Sequence, residues 1–144
     1  MAPLGLLEAV TKLQQVYGEF CQPVCREFGL SQTDLDVLLF LANHPQDNTA
    51  RDVCEKRLIK KALVSVTVEK LVQLGYLQRQ EDCLDRRVQR LAVLEKAQAA
   101  VAAGRRTQKA FFHAIYQNMT QEELQTYFRL QQKMVDTIEK LAQP

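Results

Sequence analysis

The side chains able to do chemistry are few and poorly placed for catalysis. Four cysteines, Cys21, Cys25, Cys54 and Cys83, include no Cys-x-x-Cys pair and no downstream histidine spacing, so the zinc-holding pattern is missing and no metal is expected. The two histidines, His44 and His113, stand far apart, and neither serine, Ser31 or Ser65, lies in a Gly-x-Ser-x-Gly turn. Five isolated glycines build no phosphate-cradling loop. The carboxylates are scattered over positions that read as solvated faces. No catalytic residue, cofactor site or enzyme activity is therefore expected. What remains is a set of cations and short hydroxyls at helical spacing, Lys60, Lys61, Ser65, Thr67 and Lys70, followed by the pair Arg86 and Arg87. Lysines in such an array hold phosphates, whereas Ser65 and Thr67 are short enough to approach base edges.

The elements that must position these residues lie between Asn48 and Arg90. Thr49 with Asp52 three residues on is a capping-box pair, which predicts a short helix burying Val53 and Cys54 and ending near Arg57. From Lys60 to Leu74 the residues Leu63, Val64, Val68, Leu71, Val72 and Leu74 recur at spacings of three and four, a core-facing stripe opposite the polar set. Gly75 stands where a left-handed cap is needed. A strand is predicted over residues 76–80, a turn over 81–85 and a return strand over 86–93, with blurred alternation on the return. Two helices at a short turn followed by a basic hairpin form a winged helix-turn-helix, whose second helix fits a DNA major groove. Charge is concentrated there: residues 51–90 hold ten Lys or Arg against six Asp or Glu, net +4, so the rest of the chain carries −2 of the overall +2.

This stretch resembles the MarR family of bacterial transcriptional regulators. The resemblance rests on Val64-Ser65, Val68, Leu71, Gly75-Tyr76-Leu77 and Arg79, on Asp85-Arg86-Arg87 in the wing, and on the order of the flanking helices, so it spans nearly the whole chain. The sequence departs from the family pattern at Cys83-Leu84, at Val93-Leu94 and at Ala97. The resemblance implies a mainly α fold with a small β-hairpin wing: residues 31–94 as the winged helix-turn-helix, and residues 1–30 and 95–144 as helical dimerisation regions. It implies double-stranded DNA and a second copy of the chain as partners, and a small aromatic effector in a cleft that Tyr17, Phe20 and Phe112 would line. A subgroup of the family senses peroxides through a first-helix cysteine, which makes Cys21 and Cys25 candidate redox sensors; packing is the default reading of both.

The flanking segments agree. An apolar stripe, Leu6, Val10, Leu13, Tyr17, Phe20, Val24 and Phe28, predicts a first helix that Pro23 should kink or divide near Gln22. Ser31 with Asp34 starts a second helix running to about Asn43, ended by His44-Pro45. Residues 94–118 read as one long helix that Gly104 weakens, and Thr120 with Glu123 starts the last. With 47% apolar residues the chain can build a single core. Its longest apolar run, Val37 to Ala42, is too short for a bilayer and no leader is read at its start, so no membrane partner and a cytoplasmic location are expected. The alternative function is a winged-helix protein-interaction module whose basic face meets an acidic partner without reading DNA sequence.

Overall fold

Three side-chain pairs, each three residues apart, start three of the six α-helices among the described residues. The computed structural model describes residues 5–143, in the order α1 (Gly5–Phe28), α2 (Gln32–Asn43), α3 (Ala50–Arg57), α4 (Lys61–Gln73), β1 (Leu77–Glu81), β2 (Gln89–Val93), a 3₁₀ turn (Glu95–Ala97), α5 (Gln98–Ile115) and α6 (Gln121–Ala142). Ser31 and Asp34 close a reciprocal capping box on α2, Thr49 and Asp52 on α3, and Thr120 and Glu123 on α6. Each box satisfies two backbone N–H groups that have no intrahelical partner. The fold is the mainly helical, one-hairpin architecture expected.

The core of the first unit, residues 1–109, is built around α2. Leu35, Val37, Leu38, Leu39 and Leu41 are buried on several sides of it, against Val53 of α3, Val64, Val68 and Leu71 of α4, Leu77 and Leu91 of the hairpin, and Ala97, Ala100, Val101 and Ala103. The two strands pair antiparallel from Leu77–Val93 to Glu81–Gln89. Beside the hairpin the Leu91 N–H donates to the Asn48 carbonyl at 2.7 Å, which ties the loop before α3 to the returning strand.

Four local features differ from the sequence reading. Pro23 does not divide α1, which runs through it as one helix. The return strand begins at Gln89 rather than at Arg86, because residues 82–88 form a turn closed by their own carboxylates: Asp82 Oδ2 accepts the N–H groups of Leu84 and Asp85, and Asp85 Oδ1 accepts that of Arg87. The segment after the wing opens with the 3₁₀ turn before α5 begins. Gly104 serves close packing: a Cβ there would stand 2.8 Å from Leu39 Cδ2, so α5 approaches α2 where only hydrogen fits.

In the second unit, residues 110–144, rings run in sequence from Phe111 through Phe112 to Tyr116, which meets Phe128 edge-on and Tyr127 at a tilt. No residue of α6 is buried.

Candidate nucleic-acid interface

The short connection between α3 and α4 sets the angle of the second helix. Leu58 ends α3 in the left-handed region (φ 52°), its side chain exposed, and Lys60 then occupies the N-cap of α4 in extended backbone. At the other end of α4, Gly75 (φ 77°) allows the Tyr76 N–H to reach the Leu71 carbonyl and the Gly75 N–H that of Val72. This paired closure satisfies carbonyls at the helix end and turns the chain directly into β1.

On α4 the buried residues are Val64, Thr67, Val68 and Leu71. Lys60, Lys61 and Ser65 are exposed. Two expectations are corrected. Thr67 is buried, only 2% exposed, because it sits one turn from both Val64 and Leu71 on the inward stripe; it is a core residue and does not face a groove. Leu63, read as inward, is 47% exposed. Lys70 lies at the edge of the face, and its ammonium is paired with the buried carboxylate of Asp34. That carboxylate also accepts the Ser31 N–H at 2.8 Å, so Lys70 ties α4 to the cap of α2.

The wing carries Arg86 and Arg87, both exposed at its turn. The Arg87 guanidinium grips both oxygens of Asp85 at 3.1 Å, and that ion pair, aided by the Arg87 N–H, holds the Asp85 carboxyl below its usual range. Asp82 is likewise held low, first by the Leu84 N–H and then by the Arg90 guanidinium. Arg90 bridges Asp82 and the Asn48 side chain at 3.0 Å each, so the wing is braced from inside by a charge network. Arg51, Arg87 and Arg90 line an open cavity of about 530 Å³ between the start of α3 and β2. Arg51 and Arg90 escaped the sequence reading; their signal was only their place at a helix start and on a returning strand.

The remaining candidates lie elsewhere. Cys21 is wholly buried and Cys25 partly so, and burial pushes both thiols up from their usual range. Tyr17 neighbours Cys21, and its hydroxyl accepts from Gln108 Nε2 at 3.1 Å; burial pushes its phenol strongly upward. Phe20 is half-buried on α1, while Phe112 belongs to the second unit, exposed on α5. Among the described residues no group of three His, Cys, Asp or Glu is placed to hold a metal ion, and no helix is long and apolar enough to cross a membrane.

Residues 28–88, from the end of α1 to the edge of β2, match the sequence profile of the MarR family. Over these residues the chain is similar to the MarR family. The MarR fold extends well beyond it. A MarR protein from Peptoclostridium difficile superposes with a TM-score of 0.82 at 19% identity, covering 97% of this chain and 91% of that one. A MarR-family regulator from Listeria monocytogenes, solved with a 26mer DNA, gives 0.82 at 14% identity over 96% of this chain and 90% of its own. The S. aureus MepR–DNA complex gives 0.75 at 16%, over 94% and 96%. No curated protein sequence matches the chain.

Proposed function

We propose that the protein is a sequence-specific DNA-binding transcriptional regulator, acting in the cytoplasm as a homodimer on a pseudo-palindromic operator, and a repressor released by a small-molecule or oxidant signal. The observation that carries this reading is the exposed face of α4, with Lys60, Lys61 and Ser65 opposite its buried stripe, inside the segment that matches the MarR family. Lys60 and Lys61 serve as phosphate contacts, Ser65 as a base-edge contact, Arg86 and Arg87 as wing contacts, and Lys70 as a positioning residue through Asp34. Two of the structural neighbours are themselves complexes with DNA.

Of the two release signals, the oxidant fits Cys21 poorly. A peroxide-reactive thiol needs a lowered pKa and access, and burial works against both at Cys21. Tyr17 and Phe20, both on α1, are the proposed effector-lining aromatics. An effector that changes the separation of two reading helices by a few ångströms, against half-sites on the order of 34 Å apart, would break simultaneous engagement.

A second reading, a module that docks an acidic protein, is favoured by one observation: Leu63 and Val66 stand exposed among the cations of α4. Fluorescence-anisotropy binding to the DNA upstream of the protein's own coding region, against a random duplex and across a salt series, separates the two. A regulator prefers its operator by roughly 10³-fold or more at fixed salt. Equal binding to both duplexes, or none, favours the docking module.

A further inference from the structure

Opposite the buried stripe of α4, successive turns present Ala62, then Ser65 with Val66, then Glu69, then Gln73, with Leu63 at the flank. Val66 is 68% exposed. The polar groups in the second half of this face are already engaged. The Arg79 guanidinium pairs with one Glu69 oxygen at 2.9 Å, and Gln73 Nε2 donates to the other at 3.2 Å. The first half, which in a helix-turn-helix meets the base edges, is left with Lys61, Ser65 and an apolar cluster of Ala62, Leu63 and Val66. Three apolar side chains cannot satisfy the donors and acceptors of most base edges. One group in the major groove matches them: the C5-methyl of thymine. A G·C pair at the same place would leave its polar edge desolvated and unpaired against Val66. Two cations at the start of the same helix, Lys60 and Lys61, complement a polyanion.

We propose that Val66, flanked by Leu63 and Ala62, is the specificity-determining contact of α4 and that it reads thymine methyl groups, so that each half-site carries an A·T pair facing the sixth residue of the helix. This rests on the DNA-binding reading above. The favoured occupant of the apolar cluster is thus a base methyl, not an acidic protein.

The test uses the full-length protein and a duplex it selects from a random library. Each thymine is replaced in turn by deoxyuracil, which removes only the methyl group. Taking a methyl out of water is worth about fourfold in affinity, so uracil at the critical position should weaken binding by about fourfold per half-site and about fifteenfold when both are changed. Val66→Ala, which alters an exposed side chain and should keep the wild-type circular dichroism, should lose most of that thymine-over-uracil preference while still binding DNA. A selected duplex that binds equally well with every thymine replaced overturns the methyl contact and leaves the regulator reading standing, as does a uracil penalty that Val66→Ala does not diminish. Failure to select any duplex overturns both.

Discussion

Lys60 and Lys61 sit where α4 begins, exposed and on the proposed reading face, and nothing in the core depends on them. Replacing both by glutamate therefore tests charge with little confounding from folding. Lys60→Glu with Lys61→Glu should keep the melting temperature within a few degrees and remove most DNA affinity. The slope of log affinity against log salt should shrink by about 0.9 for each phosphate that is no longer neutralised. Unchanged binding would put the reading face elsewhere. Asp36 poses a different question at the same scale. It accepts from Gln32 at 2.9 Å and faces Arg57 at 3.9 Å, yet burial dominates and raises its carboxyl above the ordinary value of 3.8. A carboxyl with a higher pKa folded than unfolded binds more protons in the folded state, so stability falls as pH rises from the unfolded value through the folded one. The full cost is present at neutral pH and vanishes below the unfolded pKa. Asp36→Asn keeps an acceptor for Gln32 and removes that cost, so it should raise the melting temperature by a few degrees at pH 7. The gain should disappear below about pH 4 in a series of thermal melts. An equal gain at every pH would assign the effect to packing instead.

At the scale of elements, Gly104 sets two tendencies against each other. Alanine gains about 1 kcal/mol of helix propensity over glycine in the middle of α5. Its Cβ would also stand 2.8 Å from Leu39 Cδ2 and 3.2 Å from Cγ, and Leu39 is only 2% exposed, so the leucine has little room to yield. Overpacking of this kind costs about 1–3 kcal/mol, so Gly104→Ala should be destabilising by about 1 kcal/mol in denaturant titration. Adding Leu39→Val should then cost less in the Gly104→Ala background than alone, a coupling that a double-mutant cycle measures. The sequence announces that a glycine is there but not what approaches it, which is why it read as a weakness. The same limit explains the other differences. Capping boxes were legible because both partners lie within one turn and form the same bonds wherever the helix goes. The inward face of α4 was legible only to within one residue: Thr67 and Leu63 exchange their expected sides because the direction in which a 13-residue helix buries its face is fixed by α2, α3 and the hairpin. Arg86 and Arg87 read as the start of the return strand, but their place in a turn depends on the carboxylates of Asp82 and Asp85, whose backbone bonds compete with strand pairing.

For the whole molecule, the unexplained quantity is apolar surface. In the first half of α1, Leu6, Leu7, Val10, Leu13 and Val16 are all exposed, and α6 exposes Tyr127, Phe128, Leu130, Met134 and Ile138 without burying any residue. Isolated helices draw little stability from propensity alone, so a 22-residue helix needs its apolar stripe covered. A second copy of the chain would offer the same stripes in return and is the occupant that the proposed regulator on a two-fold operator requires. Met134→Glu with Ile138→Glu places two charges one turn apart on that stripe. Sedimentation velocity should show the wild type at twice the chain mass and the variant at the chain mass. The wild-type melting temperature should rise with protein concentration, since dimerisation stabilises by mass action, and the variant's should not. Each variant chain keeps an intact α4, so binding to a single half-site should survive. Affinity for the full operator should collapse to that level, because the second half-site no longer binds at the effective concentration the dimer supplies. A variant that sediments as a monomer yet holds the full operator as tightly as wild type would separate dimerisation from recognition, and would leave these apolar stripes to a different partner.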